Sequence, residues 1–188
     1  MIGIQRVLAI IPARGGSKRL PRKNVRDFLG RPLIAWTIIE AQKSEYIDTI
    51  VCSTDDDEIE NIAKLYGCVV LRRPAELATD EATMSDVVLN VMDCHSDHRV
   101  IVVLQPTSPL RTVADIDLGI LVGRYEGSVS VGPDAKTNGA VYCVDAVIFR
   151  KRPVFDAQKF FMPHERSVDI NTEEDFRLAE EYGRQNRA

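Results

Sequence analysis

Long apolar runs, a basic excess, paired cysteines and aromatic side chains are all scarce in this 188-residue chain, and each scarcity removes a class of function. No stretch approaches the roughly 18 apolar residues that a membrane-spanning helix requires. The opening MIGIQRVLAIIPARGG lacks the charged start and longer apolar core of a secretory signal, so a cytoplasmic protein that neither crosses nor binds a membrane is expected. Lys and Arg number 24 against 28 Asp and Glu, a net charge of −4, whereas nucleic-acid binding needs a basic face. With 6% aromatic residues there is little from which to build a base-stacking platform, so no nucleic-acid partner is expected. Cys52, Cys68, Cys94 and Cys143 are far apart and form no C-x-x-C pair, which argues against a zinc site or a disulfide framework. Asp93-Cys94-His95-Ser96-Asp97-His98 holds several metal-capable side chains, but its place between an amphipathic segment and an apolar run reads as a solvated loop. Neither G-x-x-x-x-G-K-[ST] nor G-x-G-x-x-G is present.

The chain does have apolar mass, 45% of its residues, and a regular order of elements. Val7 to Ile11 reads as a buried strand entering a long loop, and Leu33, Ile34, Thr37, Ile38 and Ala41 mark one face of a helix. Ile50 to Ser53 is a second strand; the acidic turn Asp55 to Glu58 then opens a helix with Ile59, Ile62, Ala63 and Tyr66 on its buried side, ending at Gly67. Cys68 to Leu71, the helix Met84 to Met92 and the apolar strand Val100 to Leu104 complete a β, α, β, α, β, α, β series. Unbroken apolar strands alternating with helices predict a parallel sheet covered on both faces, with ligands at the strands' carboxyl ends. A helix from Val113 to Tyr125, short strands at Ser128 to Val131 and Ala140 to Val144, and a C-terminal helix capped by Thr172 follow. The expected fold is a three-layer α/β/α sandwich, mostly parallel and Rossmann-like, in one domain spanning residues 1–188.

The chemistry concentrates in the loop after the first strand, Ile11-Pro-Ala-Arg-Gly-Gly-Ser-Lys-Arg-Leu-Pro-Arg-Lys-Asn24. Glycines admit backbone amides to an anion, Ser17 adds a hydroxyl, and Arg14, Lys18, Arg19, Arg22 and Lys23 can neutralise phosphate oxygens. Such a loop is also what a solvated basic surface looks like. Its place at the mouth of the first strand favours phosphate.

That loop, with RRPAELATD at 72–80, LQPTSPLR at 104–111, NGAVY at 138–142 and SVDINTEEDF at 167–176, resembles the acylneuraminate cytidylyltransferases, the CMP-sialic acid synthetases and their pseudaminic and legionaminic acid relatives. The resemblance implies the nucleotide-diphospho-sugar transferase type of fold and transfer of CMP from CTP to the anomeric hydroxyl of a nine-carbon 2-keto sugar acid, with pyrophosphate released and Mg²⁺ required. It assigns Lys23 and Arg14 to catalysis, and Ala13, Arg14, Gly15, Ser17, Lys23, Asn24 and Arg73 to the nucleotide. Asn24 and Arg73 fall on its cytidine side. Gln105, Asn138 and Gly139 would meet the sugar acid, and Asp169 with Asn171 the metal. If Val168 to Asn171 is extended, positions 169 and 171 share a face about 6 to 7 Å apart. Relatives often carry Asp at both, so Asn171 keeps an oxygen and loses a charge. The family's usual insertion of sugar-contacting and dimer-forming residues shrinks here to Gly132 to Thr137, which weakens the expectation of a homodimer. Two alternatives stay open: a noncatalytic CTP-binding homologue, and a cytidylyltransferase for another acid such as Kdo. Trp36, Phe28 and Tyr46 read as packing, and His164 as a surface histidine near the Ser167-Val168-Asp169 segment.

Overall fold

The computed structural model describes residues 5–155 and 157–186. Its central strand is β1 (Val7–Pro12), whose alternate side chains enter different cores. The short β2 (Asp27–Phe28) and β3 (Arg31–Pro32) form a separate antiparallel hairpin that leads into α1 (Leu33–Gln42). Next come β4 (Thr49–Thr54), α2 (Asp57–Leu65), β5 (Val69–Arg72), α3 (Met84–Cys94), β6 (Val100–Val103) and α4 (Val113–Gly123). The chain closes with β7 (Ser128–Val131), β8 (Thr137–Asp145), α5 (Ala146–Lys151), β9 (Gln158–Phe161) and α6 (Glu173–Gln185).

The main sheet has the order β5-β4-β1-β6-β8-β7-β9. Six strands run in one direction and β8 runs against them, as the parallel β1–β4, β1–β6, β4–β5 and β7–β9 pairs and the antiparallel β6–β8 and β7–β8 pairs require. Val7, Ala9 and Ile11 pack with α1, α2 and α4 through Ile38, Ala63 and Ile120, while Leu8 and Ile10 pack with α3 and α5 through Val88 and Phe149. Helices thus cover both faces, the arrangement that a strand buried on both sides demands. Among the described residues no helix is long and apolar enough to cross a membrane.

The expected elements are all present, and four others, β2, β3, α5 and β9, had weak sequence signals. The two-residue hairpin strands are too short for a period, α5 is a single helical stretch capped by Asp145, and β9 shows only Phe160 to the core. The turn between β7 and β8 lies at Gly132–Lys136, where Gly132 N–H donates to Lys136 O; Asn138-Gly139 belongs to β8 instead. Cys52, Cys68 and Cys143 are buried free thiols, with burial pushing Cys68 and Cys143 up to about 12, and Cys94 is exposed.

A third apolar cluster docks α6. Phe176 meets Phe28 edge to face at 5.6 Å, beside Leu20 of the basic loop, Leu33 and Ile170. Phe176→Ala is expected to cost about 3–5 kcal/mol, the range for deleting a buried aromatic ring, measured by urea unfolding.

Candidate functional site

The carboxyl ends of β1, β5 and β6 open on a cleft of about 520 Å³. The basic loop supplies Arg14, Ser17, Lys18, Arg19, Lys23 and Asn24; Arg73 comes from the end of β5, and Gln105, Pro106 and Thr107 from the turn after β6. Asn171 reaches the same cleft from the segment before α6. Five cationic side chains therefore face one volume.

How they are held explains the loop. Arg22 takes a left-handed conformation at φ 57°, and the chain then makes a 3₁₀ turn over Lys23–Val25 that turns Lys23 inward. Lys23 is 9% exposed, and one of its three ammonium donors is on Ile170 O. Burial lowers its pKa, and the charge of Asp169 offsets this in part. Asn24 Nδ2 donates to Arg14 O at 3.0 Å, fastening the two sides of the loop. Arg73 is buried and donates to Ser53 O at 3.0 Å and to Ser53 Oγ at 3.3 Å, and its burial likewise lowers its pKa.

The acidic turn before α2 has a second task besides capping. Asp56 accepts from Glu58 and Ile59 N–H, as a cap should, but it also pairs with Arg22, as does Glu58. Asp55 Oδ1 accepts the N–H of Gly15 at 3.0 Å. A Cβ on Gly15 would lie 2.6 Å from Asp56 Oδ2, so the close approach of the acidic turn is what requires glycine there. Two amides of the loop are engaged within the fold: Gly15 N–H donates to Asp55, and Ala13 N–H continues the sheet by donating to Ser53 O at 2.9 Å. The sequence offered only the opposite charges of Asp55-Asp56-Asp57-Glu58 and the basic loop, which do not by themselves say that the two segments meet.

Asp80 closes the far side. Arg14 pairs with it at 2.8 Å and donates to Thr79 O at 3.0 Å, and Lys18 pairs with the same carboxylate. Asp80 is held well below the ordinary carboxylate range, first by Lys18 and then by Arg14.

A second cavity of about 580 Å³ lies between the Gly132–Lys136 turn and the Val168–Asp169 segment. Asn138, His164 and Asp175 also line it. Asn138 is 7% exposed and its amide serves the fold: Oδ1 accepts from Ser130 Oγ at 2.6 Å and from Ala140 N–H at 3.2 Å. His164 packs edge to face on Tyr182. Gly139 stands where the two cavities adjoin. At φ +73° it is left-handed, and a Cβ there would lie 2.6 Å from Gln105 Oε1 and 3.9 Å from Asp169 Cγ.

Asp169 and Asn171 meet directly, Asn171 Nδ2 donating to Asp169 Oδ2 at 2.7 Å while Asn171 Oδ1 accepts from Arg19 at 2.8 Å. Asp169 Oδ1 is buried without a hydrogen-bond partner among the described residues. An orphaned carboxylate oxygen is a hard donor of the kind a divalent cation satisfies, so the residues fit a metal held by one carboxylate and completed by substrate oxygens. No group of three or more His, Cys, Asp or Glu side chains suited to a metal occurs among the described residues. The Asp93–His98 segment is occupied otherwise, with Asp93 on Arg150, Asp97 on Arg6 and His98 Nε2 on Thr49 Oγ1.

Residues 8–178 match the cytidylyltransferase family. The chain belongs to that family. The chain is 35% identical over 144 residues to the N-acylneuraminate cytidylyltransferase of Escherichia coli O18:K1:H7, covering 74% of this chain and 34% of that protein. It is 42% identical over 137 residues to the CMP-N,N'-diacetyllegionaminic acid synthase of Legionella pneumophila, covering 68% of this chain and 58% of that one. The matched region is thus about a third to three-fifths of those relatives' length. In fold it is similar to a CMP:2-keto-3-deoxy-manno-octonic acid synthetase complexed with CTP, with a TM-score of 0.77 at 14% identity over 97% of this chain and 100% of that one.

Since Arg14 and Lys18 are engaged by a carboxylate of the same chain, Asp80→Asn is expected to tighten binding of an inorganic tripolyphosphate probe about two- to tenfold, a modest factor because the pairs are partly exposed, with the gain shrinking at high salt in a calorimetric titration.

Proposed function

We propose that this cytidylyltransferase moves CMP from CTP to the anomeric hydroxyl of a nine-carbon 2-keto sugar acid of the sialic acid type and releases pyrophosphate. The observation that carries the reading is the adjacency of two cavities, a cationic cleft and a second chamber, across Gly139 with Gln105 on one side and Asp169 on the other. Two substrates must meet at such a junction. The names of the E. coli and Legionella relatives support the acceptor class.

In-line attack on the α-phosphate puts charge on the phosphoryl oxygens and on the departing pyrophosphate, so the protein's task is to position reactants and oppose that charge. Arg14, Ser17 and Lys23 hold the triphosphate, and Lys23, already desolvated, acts on it more strongly than a hydrated lysine could. Asn24 and Arg73 take the cytidine side of the cleft; Ala13 and Gly15 shape the backbone beneath it. Gln105, Asn138 and Gly139 form the acceptor end. Asp169, aided by the Asn171 oxygen, would hold Mg²⁺, which when bound supplies charge neutralisation at the phosphates. The turn Gly132–Lys136 forms one wall of the acceptor chamber, whose volume of about 580 Å³ suits a bulky, substituted acid.

One observation favours a noncatalytic CTP-binding reading: both polar ends of Asn171 are already satisfied, by Arg19 and Asp169. Turnover separates the two. Pyrophosphate release from CTP and Mg²⁺ is expected with one nine-carbon acid among N-acetylneuraminic, legionaminic, pseudaminic and Kdo acceptors, and not without acceptor. Binding of CTP with no release from any acceptor would establish the noncatalytic reading, and release with Kdo alone would move the acceptor class.

Lys23→Ala is expected to lower kcat by about 100-fold or more with the fold intact, the loss typical of a preorganised charge at the reacting group. Because the folded-state pKa of Lys23 is depressed, its charge opposes folding below that pKa and the penalty is relieved as pH rises through it. Lys23→Met should therefore lose turnover without lowering the Tm at neutral pH. Asp169→Ala should sharply raise the Mg²⁺ concentration needed for turnover, and Asn171→Asp should raise activity; a magnesium titration checks both.

A further inference from the structure

Arg111 is a cation in the wrong place for a structural arginine. Its side chain is 2% exposed, yet no carboxylate among the described residues hydrogen-bonds it. One terminal nitrogen donates to two main-chain oxygens, Gln105 O at 3.2 Å and Ala140 O at 2.5 Å, and the other donates to Thr37 Oγ1 at 2.7 Å. Burial lowers its pKa to about 10. Even so, a guanidinium there stays charged at neutral pH.

The two carbonyls it joins are not arbitrary. The antiparallel β6–β8 ladder pairs Val100 with Asp145, Ile101 with Val144, Val102 with Cys143 and Val103 with Tyr142. Continued by two positions, that register would bring Gln105 opposite Ala140. The ladder instead stops at Val103, and Arg111 stands between the two carbonyls where the next rungs would form. It comes from the same turn as Gln105, so it folds back beneath its own chain. Ser108 Oγ ties that turn to Asn138 O at 3.1 Å, and Thr107 O accepts Ile170 N–H at 2.8 Å. The turn therefore touches the glycine wall and the Asp169 segment together, with Arg111 as its anchor.

We infer that Arg111 is a positioning residue: by ending the β6–β8 ladder and fixing the Gln105 and Ala140 carbonyls, it sets the Gln105 side chain over Gly139 and so governs how well the sugar acid is held. The inference deepens the function proposed above and rests on it for its kinetic test. A neutral side chain could fill the space but could not donate to both carbonyls and to Thr37 at once. Lysine keeps the charge and lacks the planar fork.

The test is a double-mutant cycle between Arg111→Lys and Gln105→Ala, with KM for the sugar acid and for CTP measured separately and folding checked by thermal melts. Arg111→Lys is expected to raise the acceptor KM about tenfold, the equivalent of one misplaced hydrogen bond, while the CTP KM stays within about twofold. In the Gln105→Ala background the same change should have almost no further effect on acceptor KM, as coupling through one residue requires. Additive effects, or equal rises in both KM values, would overturn the inference. Thr37→Val, which removes a single acceptor from the guanidinium, should give a smaller change of the same kind and serves if Arg111→Lys does not fold. Amide hydrogen exchange needs no turnover and judges the anchor even if wild-type protein uses no sugar acid, an outcome that would remove the functional reading by itself. Selective acceleration at Ser108, Arg111 and Ile170, with the β1–β4 ladder unchanged, is expected; uniform acceleration across the sheet would mean a general stabilising role and defeat the inference.

Discussion

The rest of the site depends on one electrostatic problem: several positive side chains stand close together at the mouth of β1. Like charges a few ångströms apart repel, and the repulsion grows as water is excluded. The solution is a set of fixed carboxylates around the loop. Asp56 and Glu58 take Arg22, Asp55 takes the Gly15 amide, and Asp80 takes Arg14 and Lys18. Lys23 and Arg19 are handled differently: Lys23 turns toward a carbonyl and the field of Asp169, and Arg19 donates to the Asn171 amide oxygen. A loop organised in this way is ready for a polyanion without being rigidly closed on one.

Much of the fold was legible because the strands obey a simple rule. Val7 to Ile11 and Val100 to Leu104 are unbroken apolar runs, and only a sheet covered on both faces buries every residue of such a run. Helix starts were legible for a similar reason, since Thr172 and Asp56 place an oxygen over the free amides of the first turn. What escaped was set by contacts distant in sequence. β9 is a strand because it pairs with β7, with a single inward ring at Phe160 to announce it. The hairpin of β2 and β3 holds its shape through the cluster shared with α6 rather than through its own four strand residues.

The site shows the same division. Arg14, Ser17, Lys23, Asn24, Arg73 and Gln105 share one cleft, and their motifs lie at the ends of strands whose order the pattern already suggested. The roles of Asp55, Asp80 and Arg111 could not be read in the same way. Each acts on a partner brought close by topology: a loop 40 residues earlier for Asp55, the opposite cleft wall for Asp80, and the end of an antiparallel ladder for Arg111. In local sequence, Asp55 is one acid in a helix-capping turn and Arg111 the last residue of a polar loop. Only the register of β6 against β8 reveals that Arg111 occupies a gap in the sheet.

Gly139 gives the arrangement a size limit. Its missing side chain leaves the space that the Gln105 amide occupies, and the left-handed φ leaves little tolerance for anything larger than hydrogen. Between Gln105 on the cleft side and Asp169 on the other, the molecule therefore presents backbone and no side chain. A wall of that kind cannot be reshaped by a rotamer change, so its place between these two residues is set when the sheet forms.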